Sequence, residues 1–293
     1  MKKGITIFTP TYNRAHTLER LYDSLCRQTS KEFEWLIVDD GSDDETAVLV
    51  QKWQQEGRLT IRYLYQANAG KSQAHNLGVE NAGFELFSCV DSDDYLVDQA
   101  VQRILEVWRS LPNAIGIVCL RGKTSTSPLT QWRMEQAYST LREAYQSNLI
   151  QGDTMLVYQT SIIANYQFPS FKNEKFVPET YLYDQLDQVG QLYFLKEILY
   201  IGEYQADGYT ASMKKIIAEN PRGYEAYIQQ RLDLDTRIRD LIADTIRYIA
   251  IKLVVRDNSL FKEAKYPGLT GILYPLGFLF FKKSYAPYIN RKS

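Results

Sequence analysis

Over the first 120 residues, short apolar β-prone runs alternate with segments whose apolar residues recur at helical spacing, and few folds accommodate that order. The runs at 5–8, 34–38, 59–64, 84–90 and 115–120 read as strands. Between them, Leu18, Leu21, Tyr22 and Leu25 share a helix face. Further helices are expected over about 44–55, from Ser72 to about residue 81, and over 99–109, with Ser42 or Asp43 capping the first of these. Repeated βα units of this length form a mainly parallel sheet with right-handed crossovers, so the fold class is α/β. The polar segments 9–14, 39–42, 68–71 and 91–94 each follow a strand. In open α/β sheets such segments collect on the edge where ligands bind.

The last of these segments is Asp91-Ser92-Asp93-Asp94, at the end of the run Phe84 to Val90. Three acids within four residues repel one another, and a divalent cation relieves that repulsion. Asp91 and Asp93 offer the oxygen ligands that Mg²⁺ or Mn²⁺ prefers, and too few of them for a calcium cage. Such an ion completes its shell with substrate phosphates and water. The alternative is a capping cluster, in which Ser92 or an Asp starts the helix that follows.

Other chemistries are excluded more simply. The chain lacks GxGxxG and the P-loop, so the dinucleotide and NTPase fingerprints fail. With a net charge of −1, no general basic field argues for nucleic acid. Two histidines, His16 and His75, are too few for a His-based zinc site and make a Ser-His-Asp triad improbable; both read as helix-face residues. Cys26, Cys89 and Cys119 are widely spaced and read as reduced core thiols of a cytoplasmic protein. The start, Met1-Lys2-Lys3-Gly4, runs into a strand without the apolar core of a signal peptide.

The second half reads as loop-rich over 121–148, then as a strand at 154–158 and a short helix at 161–165. Helical spacing in Leu182, Leu186 and Val189 is followed by strand-like runs at 192–195 and 198–204, and by a long helical region from Pro221 to about Arg256, broken once. No linker is evident, so the halves are expected to share a core. The 22 tyrosines cluster here, which suits a sugar-binding surface, a homo-oligomer interface or a core. Residues 266–283 form an apolar, Pro/Gly-interrupted run ending in Lys282-Lys283, too short to span a bilayer. It fits a segment lying on a membrane surface, or a helix packed on the core or on a second copy.

Taken together, the edge segments resemble glycosyltransferase family 2, the inverting sugar transferases of GT-A fold, in its capsule and exopolysaccharide branch. Residues 7–14 (IFTPTYNR), 37–46 (IVDDGSDDET), Asn68-Ala69-Gly70-Lys71 continuing to Ala74, Asn76 and Gly78, and the Asp91 to Asp94 DxD-type segment match its motifs in order. The resemblance is strong over residues 5–95 and weaker beyond, where 174–179 (EKFVPE) and 207–210 (DGYT) carry it. It implies a UDP-sugar donor bordered by Thr9, Pro10, Tyr12, Arg14, Asn68, Gly70, Lys71, Asp91 and Ser92. It further implies Asp39 on the uracil imide, and Mn²⁺ or Mg²⁺ on Asp93 with Asp91. The residues taken alone also allow Asp39 or Asp40 as a helix cap and Lys71 as solvated surface.

The same resemblance implies a saccharide acceptor, lipid-linked when read with the 266–283 tail, and a cytoplasmic enzyme peripheral on the membrane. The expected organisation is a catalytic domain over 1–215, with a nucleotide-sugar half (1–120) and an acceptor half (121–215), followed by a helical region over 216–293. Proton removal from the acceptor falls to Glu179, after Pro178 at the start of an acidic helix, or to Asp184 one turn on. Family members often carry Glu-Asp where this chain has Glu179-Thr180. As a residue, Glu179 equally suits a first-turn helix acid. Two alternatives remain in view: a nucleotidyltransferase, and a non-catalytic nucleotide-sugar-binding scaffold.

Overall fold

The computed structural model describes residues 1–202, 209–234, 236–256 and 258–289. Strands and helices follow in the expected order: β1 (Lys2–Thr11), α1 (Ala15–Cys26), β2 (Phe33–Asp39), α2 (Thr46–Glu56), β3 (Ile61–Tyr65), α3 (Lys71–Glu80), β4 (Phe84–Cys89), β5 (Tyr95–Leu96), α4 (Ala100–Trp108) and β6 (Gly116–Thr124). β3, β2, β1 and β4 lie side by side and parallel. The strand Thr154–Gln159 then enters antiparallel between β4 and β6, and Leu192–Ile201 runs parallel to β6, with β5 at the edge. The fold is thus α/β with a mostly parallel central sheet. The antiparallel insertion is invisible in the strand's own apolar pattern, because pairing partners are set by topology. Residues 192–201 form one strand where two runs are expected, and register shifts after Leu195 and Ile198 account for the polar break. Tyr204 lies outside the described residues.

β2 is buried along its whole length, as a parallel strand covered on both faces must be. One face packs on α1 through Leu18, Leu21 and Leu25, all fully buried at i, i+3 and i+7, each stabilising by about 1.5–3 kcal/mol. Tyr22 stacks on Trp53 at 4.3 Å between ring centroids, and Trp35 lies 5.7 Å from Trp53. His75 sits on α3, buried edge-on against Phe8 and Phe87 at 5.6 and 5.4 Å. Burial, reinforced by Lys71, pushes its pKa down to about 3, so it is a neutral core residue.

The chain divides into two compact units, residues 1–167 with 182–203, and residues 168–181 with 204–293. This differs from the expected boundary at 215, and each unit has a core of its own. Residues 168–181 join the helical unit for a local reason. The Glu174 carboxylate accepts the Arg222 and Gly223 amide N–H groups at 3.0 and 2.9 Å, satisfying donors left open at the start of helix Pro221–Leu234. Helix Ile238–Val255 follows, so the single break expected in this region falls between Leu234 and Ile238.

In the first unit, Asp187 is buried and accepts the Leu141 and Arg142 N–H groups at 3.0 and 2.6 Å. Burial raises its pKa to about 6 despite those bonds. The folded state therefore holds this proton more tightly than the unfolded chain does. Its contribution is fully present below pH about 4 and is lost as pH rises through 6. Thermal unfolding should show stability from this group falling by about 1–3 kcal/mol between pH 4 and 7.5. Asp187→Asn should flatten that part of the profile; an unchanged slope would remove Asp187 as its source.

Candidate nucleotide-sugar site

Four loops at the C-terminal ends of the parallel strands are tied to one another in sequence. Asn13, in a left-handed backbone conformation (φ 53°), donates its N–H to Ser42 Oγ at 2.9 Å and accepts the Asp43 N–H on Oδ1 at 2.9 Å. Asp44 accepts the Ala15 N–H at 3.0 Å. The first two loops are thereby one interlocked unit. Neither Ser42 nor Asp43 caps α2, which starts at Thr46 with no side-chain cap, because Ser42 is engaged across the gap by Asn13.

Asp40 ties the second loop to the third. Its Oδ1 accepts from Ala69 N–H at 2.8 Å and Gln66 Nε2 at 2.6 Å, and its Oδ2 from Gly70 N–H at 2.8 Å. Gly41 (φ 88°) approaches so closely that a Cβ would lie 2.8 Å from Asn68 N. Sequence reasoning left Asp40 as a candidate cap; its role is to set the 66–70 loop. Asp40→Ala would leave the buried Gly70 N–H and the half-buried Ala69 N–H without their acceptor. It should cost about 2–3 kcal/mol and weaken nucleotide binding, read by denaturant unfolding and UDP titration. Retained stability and binding would contradict this positioning role.

Asp39 is buried, with Oδ1 accepting Ser42 N–H at 2.8 Å and Oδ2 accepting the Tyr63 hydroxyl at 2.5 Å. Burial and the adjacent carboxylate push the Tyr63 phenol up, so it stays protonated and donates. Thr9 and Pro10 are buried within β1, and the Thr9 hydroxyl accepts from Trp35 Nε1 at 2.9 Å. They lie at the end of β1, directly before the first loop. Tyr12 is exposed, and Arg14, Asn68 and Lys71 are half-buried. Gly70 is buried, at φ 93° just before α3.

The acid cluster is resolved residue by residue. Lys71 Nζ lies 2.6 Å from Asp91 Oδ1, which ties the third loop to the fourth. Burial would raise the Asp91 pKa, but Lys71, Arg121 and Arg14 outweigh it and hold the carboxylate below its usual range. Asp94 is buried against the Arg121 guanidinium at 3.0 Å and accepts the Tyr200 hydroxyl at 2.7 Å. Burial still raises its pKa to about 6. Tyr200 Oη in turn accepts the Asp91 N–H at 3.1 Å, and Arg121 lies 5.5 Å over the Tyr200 ring. Ser92 is buried. α4 starts from Gln99 without a side-chain cap, so the capping alternative for this cluster does not hold.

The cluster's repulsion is therefore answered largely by Lys71 and Arg121. Asp93 is the exception: Arg20 bonds its backbone carbonyl, and no side-chain bond engages its carboxylate among the described residues. Among those residues no group of three or more His, Cys, Asp or Glu converges on a cation position. A hard divalent ion would here have Asp93, and Asp91 once released from Lys71, with the remaining ligands coming from phosphate and water. That donor set fits Mg²⁺ or Mn²⁺. Arg121 and Tyr200 were missed by sequence reasoning because they sit on distant strands whose apolar runs carry no motif.

The two expected bases differ. Asp184, on helix Thr180–Leu186, is buried and paired with Arg142 at 3.0 Å, an ion pair that holds it away from a solvent-borne hydroxyl. Glu179 is exposed just before that helix, in the residues grouped with the helical unit. Asp207 and Gly208 lie outside the described residues.

Comparison with known proteins agrees with this arrangement. A family model described as Glycosyl transferase family 2 matches residues 6–167. EpsJ of Bacillus subtilis, an uncharacterized glycosyltransferase, is 34% identical over 102 residues, covering 35% of this chain and 29% of that protein. The chain spans about a third of the length of the first curated relatives it matches. In three dimensions, S. aureus TarS 1-349 in complex with UDP-GlcNAc superposes at a TM-score of 0.63 with 17% identity, over 99% of this chain and 83% of that one. The mannosyltransferase PcManGT of Pyrobaculum calidifontis, in complex with GDP-Man and Mn2+, superposes at 0.58 with 15% identity, over 98% and 82%. These two likenesses establish the GT-A fold. With the family model covering more than half of its length, the chain belongs to glycosyl transferase family 2.

Proposed function

We propose that the protein is an inverting, metal-dependent glycosyltransferase. It moves a hexosyl unit from a UDP-sugar to a saccharide, probed first as a lipid-linked one, in the synthesis of a surface polysaccharide. The observation that carries this reading is the interlocked chain of loops from Asn13 through Asp40 and Lys71 to Asp91, with the Asp93 carboxylate beside it engaged by no side-chain hydrogen bond among the described residues. Family membership favours sugar transfer over nucleotidyl transfer.

In this reading the uracil imide N–H donates to Asp39, replacing the Tyr63 hydroxyl on Oδ2, and bases without that donor are rejected. Lys71 moves from Asp91 to the diphosphate as a point charge. Asp93 and Asp91 would hold a divalent ion, which would supply Lewis-acid stabilisation of the charge that gathers on leaving UDP. The anomeric C–O bond breaks with its electron pair going to UDP, and the acceptor oxygen forms the new bond from the opposite face. Glu179 takes the acceptor's proton. UDP-sugars being cytoplasmic donors, the reading assigns the reaction to the cytoplasm.

The test is UDP release with Mn²⁺ across a panel of UDP-sugars, with and without saccharide acceptors. Glu179→Ala should slow acceptor-dependent transfer by about 10²–10⁴-fold while sparing slow donor hydrolysis. Undiminished transfer in that variant would remove Glu179 from the role, and no release from any UDP-sugar would sink the donor assignment.

A further inference from the structure

Helix Pro267–Ser284 is apolar on two faces, and among the described residues one of them is buried and the other exposed. Thr270, Leu273, Gly277 and Ser284 are buried, and Gly277 packs so tightly on helix Ile238–Val255 that a Cβ would lie 2.5 Å from Ile249. The other face carries Ile272, Leu276 and Leu279, at 76%, 51% and 62% exposure, with Phe278 beside them. Their i, i+4, i+7 spacing makes a continuous apolar stripe that none of the described residues covers. Exposed lysines Lys282 and Lys283 close the helix, with Lys282 lying 5.5 Å over the Phe278 ring.

Charge decides what this stripe fits. From Ala264 to Ser293 the sequence has no Asp or Glu and five basic residues, in a chain whose net charge is −1. Lys265 is neutralised by Asp233 at 3.0 Å, which leaves Lys282 and Lys283 as the cations on the helix. A self-paired contact would bring two acid-free, basic segments together, whereas an anionic bilayer offers the complementary sign. No helix among the described residues is long and apolar enough to cross a membrane. A helix of this kind lies in the interface plane, its apolar stripe in the headgroup boundary and its lysines on anionic lipid.

We infer that the Ile272–Leu276–Leu279 face, with Lys282 and Lys283, docks the protein on an anionic membrane surface. The full chain is sedimented with vesicles of phosphatidylcholine alone and of phosphatidylcholine mixed with phosphatidylglycerol, at low and high salt, with no sugar donor present. Because the readout needs no turnover, it stands or falls independently of the catalytic assignment. Wild type should bind the mixed vesicles, less so at high salt. The double variants Ile272→Glu/Leu279→Glu and Lys282→Glu/Lys283→Glu should each lower partitioning by about tenfold or more, with unchanged far-UV circular dichroism. The exposed positions make misfolding avoidable, and UDP release by both variants serves as a second check on folding. Absence of wild-type binding, or equal binding by the variants, would overturn the inference. So would a dimer in size-exclusion chromatography that Ile272→Glu/Leu279→Glu splits while vesicles pull down nothing.

Discussion

Asp93→Ala should lower UDP release by about 10²–10³-fold while leaving the unfolding free energy within about 0.5 kcal/mol of wild type. The two halves of that expectation come from one geometric fact. Among the described residues the Asp93 carboxylate has no side-chain hydrogen bond, so its removal breaks nothing that holds the fold. The neighbouring backbone carbonyl, which Arg20 bonds, survives the substitution. The cost falls instead on the charge that leaving UDP develops, which an ion bound by Asp93 would stabilise. Asp93→Asn should lose nearly as much, since the amide keeps the shape and removes the charge. Steady-state UDP release and denaturant unfolding on the same preparations check both halves. Unchanged turnover would remove the metal role from Asp93.

Asp94→Ala should behave in the opposite way, losing about 3 kcal/mol of stability. Its carboxylate is 2% exposed and faces a guanidinium that is itself largely buried. Truncation removes the buried carboxylate partner of Arg121, while Asp153 remains at 2.9 Å, and takes from the Tyr200 hydroxyl the acceptor it donates to. Removing one partner of a buried ion pair costs more than the pair itself contributes. Tyr200 also accepts the Asp91 N–H, so the loop that presents Asp91 and Asp93 should loosen as well. Turnover then falls as a consequence of unfolding and misplacement, and cooling should recover part of it, which it would not do for Asp93→Ala. A loss below about 1 kcal/mol would show that Arg121 is adequately held by Asp153 and water.

The contrast between these two neighbours marks how far the sequence could be read. The βα order and the positions of all four loops follow from apolar periodicity and from what a parallel sheet does with the ends of its strands. Asp39, Lys71, Asp91 and Asp93 were all legible as members of one edge. Their individual duties were not, because these depend on partners far away in the chain. Asp94 read as a cap and is a buried ion pair, since Arg121 and Tyr200 arrive from strands 27 and 106 residues on. Thr9 matches a motif, yet its hydroxyl is taken by Trp35. Asp184 fitted a base by spacing alone, and Arg142 closes it off. The strand Thr154–Gln159 was visible as a strand, but nothing local to it specifies insertion between β4 and β6.

Titration of UDP with and without Mn²⁺, on wild type and Asp93→Ala, tests the nucleotide-sugar site most directly. Wild type should bind UDP about tenfold or more tightly when Mn²⁺ is present, because carboxylate and diphosphate oxygens share the ion's shell. Asp93→Ala should lose that gain while keeping the weaker metal-free affinity. Equal UDP affinity with and without Mn²⁺ in wild type, or the full gain retained in Asp93→Ala, would contradict the account.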